Sequence, residues 1–194
     1  MVLSVEKESK IEKILDFIIH IFLAESGCFF MDRPDFFREY CTGFGEDSHQ
    51  FREDTDGCII AGHHFANVPS FDADSDGDIV FHALCQAITS VTHVPILGGL
   101  AIKYCREKGI RDSKIFLKEA LATLGSWKIV HCVVSLTALR PRLQPHERLL
   151  RTHIAEVLGL DIEKVGIVFT SGNYLCMAGE GKGVTCRAVV SFQR

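Results

Sequence analysis

Two short runs in this 194-residue chain hold residue types that could grip a cation. Asp47-Ser48-His49 lies in a stretch that reads as a β-strand, where alternate side chains share a face, so Asp47 and His49 point the same way. Ser75-Asp76-Gly77-Asp78, followed by His82, reads as the start of a helix. Ser75 or Asp76 caps it, acidic residues fill the first turn, and His82 falls one turn beyond Asp78. One carboxylate and two imidazoles suit Zn²⁺, and three protein ligands leave a fourth position open, the arrangement of a catalytic zinc site. Each piece alone has an ordinary explanation: a turn carboxylate beside Gly45, a surface histidine at 49, a half-buried His82 on a helix that also carries Ile79, Ala83 and Leu84. The weight lies in the combination.

The elements that must position these groups follow from periodicity and punctuation. Strands are expected at 37–44 and 57–62, then helices at 76–92, 97–108 and 112–124, the last capped by Asp112 or Ser113. Val130–Leu136 reads as a buried strand, and 145–158 as a helix with Leu149, Leu150, Ile154 and Leu158 on one face. Strands at 164–169 and 182–192 close an α+β domain, a mixed β-sheet with helices on one face.

Residues 1–39 form a separate N-terminal extension, and 40–194 the main domain, with Arg33 and Pro34 near the boundary. Within 7–24, Ile11, Ile14, Leu15, Ile18 and Ile19 recur at helical spacing. The apolar run Ile14–Ala24 contains Asp16 and His20 and is shorter than the ~20 apolar residues that span a bilayer. No small-residue cleavage site follows it, so an extra helix or a start codon set too far upstream is expected, without membrane insertion.

A net charge of −4 with no basic stripe excludes an ordinary nucleic-acid binder. Hydrophobic residues at 47% promise a filled core and apolar surface for an oligomer interface. Eight cysteines include no C-x-x-C pair, and most read as small buried hydrophobes of a reducing cytoplasm. His63 and His64 are adjacent on a strand, face opposite ways, and are assigned no role.

The run Gly45-Glu46-Asp47-Ser48-His49, with Asp74 to Ala83, Ile154 to Gly159 and the alternating glycines of Gly179 to Val184, resembles the 2-C-methyl-D-erythritol 2,4-cyclodiphosphate synthase family, in a form similar to a divergent bacterial branch. The resemblance runs from about residue 40 to the C-terminus. It implies a cytoplasmic homotrimer with an active site at each subunit interface. The implied reaction cyclises 4-CDP-2-C-methyl-D-erythritol 2-phosphate, the 2-phosphate attacking the β-phosphate and CMP leaving. Asp47, His49 and His82 then occupy the zinc positions, with a β-phosphate oxygen in the open one. Asp47, Ser48, His49, Asp74 and Ser75 are implied substrate contacts at the methylerythritol and phosphate end. Thr170, Ser171, Gly172 and Asn173 match a T-T-x-E phosphate loop, and Ala138, Arg140, Pro141 and Arg142 match the A-x-x-P-K turn that holds cytosine and phosphate. Asp74 and Ser171 stand nearest the reacting phosphates and are the implied catalytic pair.

The departures are specific. Asp74 stands where the family has a histidine, and an ionised carboxylate repels an incoming phosphate. Asn173 replaces a glutamate that holds a second cation, so a Mg²⁺ or Mn²⁺ site is expected to be weakened. Glu180 replaces an arginine, and Val94-Pro95-Ile96-Leu97-Gly98-Gly99-Leu100 replaces a mobile substrate loop. An active enzyme is the expected outcome. The alternative is a weakened or inactive ligand-binding trimer, favoured by Asp74, Asn173 and Glu180; a membrane-associated protein anchored by residues 11–24 comes third.

Overall fold

The computed structural model describes residues 38–194; the expected helix at 7–24 lies outside the described residues. Glu39–Arg194 form one compact unit. In chain order it contains β1 (Tyr40–Gln50), β2 (Cys58–Ile60), β3 (His63–Phe65), α1 (Ile79–Thr92), α2 (Leu100–Lys108), α3 (Ser113–Ala122), β4 (Lys128–Thr137), α4 (Glu147–Leu158), β5 (Val165–Thr170) and β6 (Gly183–Gln193). The main sheet has the order β1-β6-β4-β5, antiparallel except for the parallel pair β4–β5. The expected mixed sheet is therefore present. Among the described residues no helix is long and apolar enough to cross a membrane.

Period-two alternation decides which sheet face is core. On β6, Val184, Cys186, Ala188, Val190 and Phe192 are buried, and Cys132, Val134 and Leu136 of β4 join them. Against this face lies α1, which also packs on α3. That double contact explains why α1 is apolar nearly all round, with Ile79, Val80, Phe81, Ala83, Leu84, Ala87 and Ile88 all buried. The opposite sheet face is open. It carries Tyr40, Phe44, Val168 and Val189 with large exposed areas, Phe44 and Val189 being register partners. Cys58, Cys85, Cys132 and Cys186 behave as the buried hydrophobes expected, and burial pushes the Cys58 and Cys132 thiols up to about 12.

Close approach of β1 to α1 depends on Gly43 and Gly45. A Cβ on Gly45 would overlap the Ala83 carbonyl oxygen and the Ala87 nitrogen, and one on Gly43 would overlap the Ala87 carbonyl. Backbone thus meets backbone. Phe44 N–H of this edge strand donates to Ser90 Oγ at 3.1 Å, and Ser90 Oγ–H donates to the Ala87 carbonyl at 2.7 Å. Gly45→Ala is expected to cost about 2 kcal/mol or more, because the contact is rigid on both sides. It should also weaken divalent-cation binding by prising Asp47 and His49 away from α1. Thermal unfolding and metal titration of that variant check both; a fully stable variant with unchanged metal binding would contradict the argument.

Three sequence expectations need correction. The strand expected at 37–44 runs instead over Tyr40–Gln50, and the expected strand setting of Asp47 and His49 is part of it. The segment 57–62 is no strand of the main sheet: Cys58–Ile60 pairs with His63–Phe65 as a separate hairpin, turning at Ala61 and Gly62, both at positive φ. The cap of α1 is neither Ser75 nor Asp76 but Asp78, whose side chain accepts from the backbone N–H groups of Val80 and Phe81, so no acidic residue lies in the first turn. Asp112 does cap α3, accepting from Lys114 N–H.

Candidate functional site

Three side chains meet where β1 crosses α1. His82 Nδ1 lies 2.9 Å from Asp47 Oδ2, His49 Nε2 lies 3.2 Å from the same oxygen, and the two imidazole nitrogens are 3.2 Å apart. A cation bound tetrahedrally at 2.0–2.1 Å needs ligand atoms about 3.3 Å from one another, so the triangle already has nearly the size that Zn²⁺ requires. Among the described residues this is the one group of three such side chains whose ligand atoms converge. All three are largely shielded, with side-chain exposures of 25%, 15% and 10% for Asp47, His49 and His82. Burial alone would raise the Asp47 carboxyl, but hydrogen bonds and charge from His49 and His82 outweigh it and hold the group well below the usual carboxylate range. An ionised oxygen and two inward nitrogens form a donor set that fits a divalent cation.

Around the triangle the structure rearranges several expectations. Ser48 faces the open side of the sheet, away from Asp47 and His49. Ser75 Oγ lies 3.3 Å from His82 Nε2, on the far side of the ring from the ligand atoms. Asp74 is exposed, and Arg106 of α2 reaches to 3.9 Å from its carboxylate. Glu180, the reversed charge in the glycine-rich segment, is paired with Lys182 Nζ at 2.6 Å. Neither compensating cation was singled out from sequence, because each acts through a contact and not through a motif.

A second feature lies at the far edge of the sheet. Ala138, Leu139, Pro141, Arg142, Leu143, Gln144, Pro145, Phe169, Thr170 and Ser171 line a cavity of about 600 Å³. Of the expected residues there, Ala138, Pro141, Arg142, Thr170 and Ser171 contribute directly. Arg140 turns elsewhere: its Nε–H donates to the Gly181 carbonyl at 3.0 Å and its guanidinium sits over the Phe51 ring. Ser171, Gly172 and Asn173 form a tight turn in which Ser171 Oγ–H donates to Asn173 Oδ1 at 3.1 Å. Register places Ser48, Thr185, Thr137 and Thr170 in one row across β1, β6, β4 and β5. Three strand spacings separate its ends, roughly 14 Å. The triad and the cavity thus share one end of the sheet but occupy opposite edges.

His63 joins His146 and His153, ring centroids 5.1 and 6.5 Å away, and burial, then the neighbouring imidazoles, hold its pKa down. Their nitrogens do not converge as those of the triad do.

Fold and donor set together define an α+β domain of the metal-dependent enzyme class, with a donor set that fits a divalent cation. The pattern of the YgbB family matches residues 40–193. A 2-C-methyl-D-erythritol 2,4-cyclodiphosphate synthase of Chlamydia muridarum is 43% identical over 169 residues, 86% of this chain and 94% of that protein. One from Chlamydia trachomatis is 44% identical over 156 residues, 79% of this chain and 88% of that protein. Among solved structures, a synthase of the same name superposes with a TM-score of 0.70 at 30% identity, over 78% of this chain and 99% of that one; a CDP-bound form gives 0.70 at 28%, over the same shares. The chain belongs to the YgbB family, that of the 2-C-methyl-D-erythritol 2,4-cyclodiphosphate synthases.

Proposed function

We propose that this chain is a 2-C-methyl-D-erythritol 2,4-cyclodiphosphate synthase of non-mevalonate isoprenoid precursor synthesis. The substrate is 4-CDP-2-C-methyl-D-erythritol 2-phosphate. An oxygen of its 2-phosphate forms a bond to the β-phosphorus, the bond from that phosphorus to the bridging oxygen breaks, and CMP departs with the bridging oxygen. The observation that carries the reading is the converged triangle of Asp47, His49 and His82 in a chain of this family.

Asp47, His49 and His82 would hold a divalent cation, Zn²⁺ by the nature of the donors, and when bound it would offset negative charge on the reacting phosphates. The protein's own residues align the rest. The 600 Å³ cavity takes the cytidine end, with Pro141 shaping the turn and Arg142 facing the diphosphate. Ser171 and Thr170 offer hydroxyls to phosphate. Asp74 lies near the methylerythritol phosphate, and Arg106 at its side moderates the repulsion that a lone carboxylate would exert. Asn173 presents a neutral amide, so a second Mg²⁺ or Mn²⁺ is held weakly.

Separation of triad and cavity on opposite sheet edges supports a homotrimer. One subunit's triad is completed by its neighbour's cavity, which brings both within reach of one substrate. The open sheet face, with Phe44, Val189 and Val168, supplies the apolar surface for this assembly, and Ser48 faces the same side. Residues 40–194 are the catalytic domain and 1–39 an extension, and the enzyme works in the cytoplasm.

The test is to incubate the purified chain with substrate, Zn²⁺ and Mg²⁺ and to follow CMP and cyclic diphosphate by phosphorus NMR, with mass determined by light scattering. Trimeric protein yielding both products is expected, with Asn173→Glu lowering the Mg²⁺ concentration needed for full rate. A folded, zinc-loaded trimer that forms neither product would overturn the enzyme reading and leave the ligand-binding trimer that Asn173 favours.

A further inference from the structure

A histidine that ligates through one ring nitrogen must place the other, and what receives it fixes both tautomer and ring angle. His82 turns Nδ1 toward Asp47 and His49, and its Nε2 points into the protein. There it meets Ser113 Oγ at 2.9 Å, with Ser75 Oγ a longer second neighbour at 3.3 Å. Ser113 opens α3, is fully buried, and lies 31 residues further along the chain.

Ser113 is itself held by Asp76. Its Oγ–H donates to Asp76 Oδ1 in a very short contact, and its backbone N–H donates to Oδ2 at 3.1 Å. The carboxylate is fixed in turn: Asp78 N–H donates to Oδ1 at 3.1 Å, and the Asp76 N–H donates to the Arg111 carbonyl at 2.9 Å. Proton placement follows by elimination. An ionised carboxylate only accepts, so the single hydroxyl proton of Ser113 goes to Asp76. The serine oxygen then offers only lone pairs to His82, whose Nε2 must carry a proton and donate it. A cation displaces the proton on Nδ1 without disturbing the one on Nε2.

We propose that Asp76 and Ser113 are positioning residues that hold His82 as the Nε2–H form, with its Nδ1 lone pair aimed at the cation. This rests on the reading of Asp47, His49 and His82 as a metal site. The relay joins two loops otherwise unconnected in sequence, so the seat of the metal depends on α3 as well as on β1 and α1.

The experiment measures Zn²⁺ affinity of the full chain by competition with a chromogenic chelator. Asp76→Asn, Ser113→Ala and Ser113→Thr are compared with the parent, and Asp47→Ala marks binding outside the triad. Asp76→Asn and Ser113→Ala are expected to bind Zn²⁺ about 10–100-fold more weakly. Ser113→Thr, which keeps the hydroxyl, should restore affinity to near that of the parent, a rescue that a packing defect would not give. In the zinc-loaded parent a slowly exchanging His82 Nε2–H proton should be resolved by nitrogen-edited NMR and vanish in Ser113→Ala. If Asp76→Asn fails to fold, the contrast of Ser113→Ala with Ser113→Thr decides alone. Parent binding that depends on Asp47, with Ser113→Ala within twofold of it, would overturn the relay. A parent with no Asp47-dependent zinc would instead overturn the metal reading beneath it.

Discussion

His82→Ala should lower cyclisation by at least about a thousandfold and leave protein that no longer retains zinc through dialysis. The remaining ligands, Asp47 and His49, lie on one strand two residues apart and cannot by themselves close a coordination shell. Loss of a cation that stabilises developing phosphate charge is worth several kcal/mol, and about 4 kcal/mol corresponds to that factor in rate. His82 is nearly buried, at 8% exposure, and touches both Asp47 and Ser113, so the variant also removes the donor that the Ser113 oxygen accepts from, while the Ser113 hydroxyl keeps Asp76 as its acceptor. Turnover measured at saturating zinc, beside metal content, separates the causes. Near-normal turnover by metal-free His82→Ala would remove the triad from catalysis altogether.

The second large effect concerns a residue that touches no ligand atom. Asp78 is fully buried, and its oxygens accept from four backbone N–H groups: Ala61 at 2.9 Å, Val80 at 3.1 Å and Phe81 at 3.2 Å on Oδ1, and Gly62 at 2.5 Å on Oδ2. It ties the turn of the β2–β3 hairpin to the first turn of α1. Asp78→Ala leaves those donors without a partner in a place water cannot reach. The expected loss is about 3 kcal/mol or more at pH 7, or roughly 10 °C in Tm.

The loss should also depend on pH in a definite direction. Burial pushes Asp78 up to about 6, against the opposing N–H groups of Gly62, Phe81 and Ala61 and with Asp76 adding to the rise. In the unfolded chain the same carboxyl titrates near 3.8, so between about pH 4 and 6 the folded state holds a proton that the unfolded state has released. Stability from this group is therefore full at low pH and falls as pH rises through about 6. Asp78→Ala should cost about 1 kcal/mol more at pH 5 than at pH 7. Denaturant unfolding of parent and variant at both values checks this, and a cost that is larger at pH 7 would refute it.

Much of this was legible in the chain. Alternation along 182–192 and the nearly continuous apolar run from Ile79 to Ile88 marked a core strand and a core helix, since burial on one face leaves a period in the sequence and burial nearly all round leaves a nearly unbroken run. Asp47, His49 and His82 were legible because local geometry, strand for one pair and helix for the third, constrains where their side chains go. What escaped was set by tertiary contact. The cap moved from Ser75 or Asp76 to Asp78 because only that carboxylate is met by the Ala61 and Gly62 amides of a distant turn. Ser113 was read as a possible cap, with nothing in its neighbourhood to say that its hydroxyl reaches His82. Arg140 was placed in the A-x-x-P-K turn by resemblance alone, and nothing local in the sequence told of its hydrogen bond to the Gly181 carbonyl. Arg106 stands on a helix whose local pattern gives no hint of Asp74.

The triad has a further meaning for the chain that carries it. Its strand ligand His49 and its helix ligand His82 are separated by 33 residues, a stretch that includes the small hairpin. An ion shared between them fastens the two ends of that stretch together, and a chain so fastened has fewer ways to come apart. Because unfolded protein lacks the assembled site, each decade of free ion above the dissociation constant adds about 1.4 kcal/mol to the fold. A cell short of that ion would then have less of this protein as well as slower copies of it.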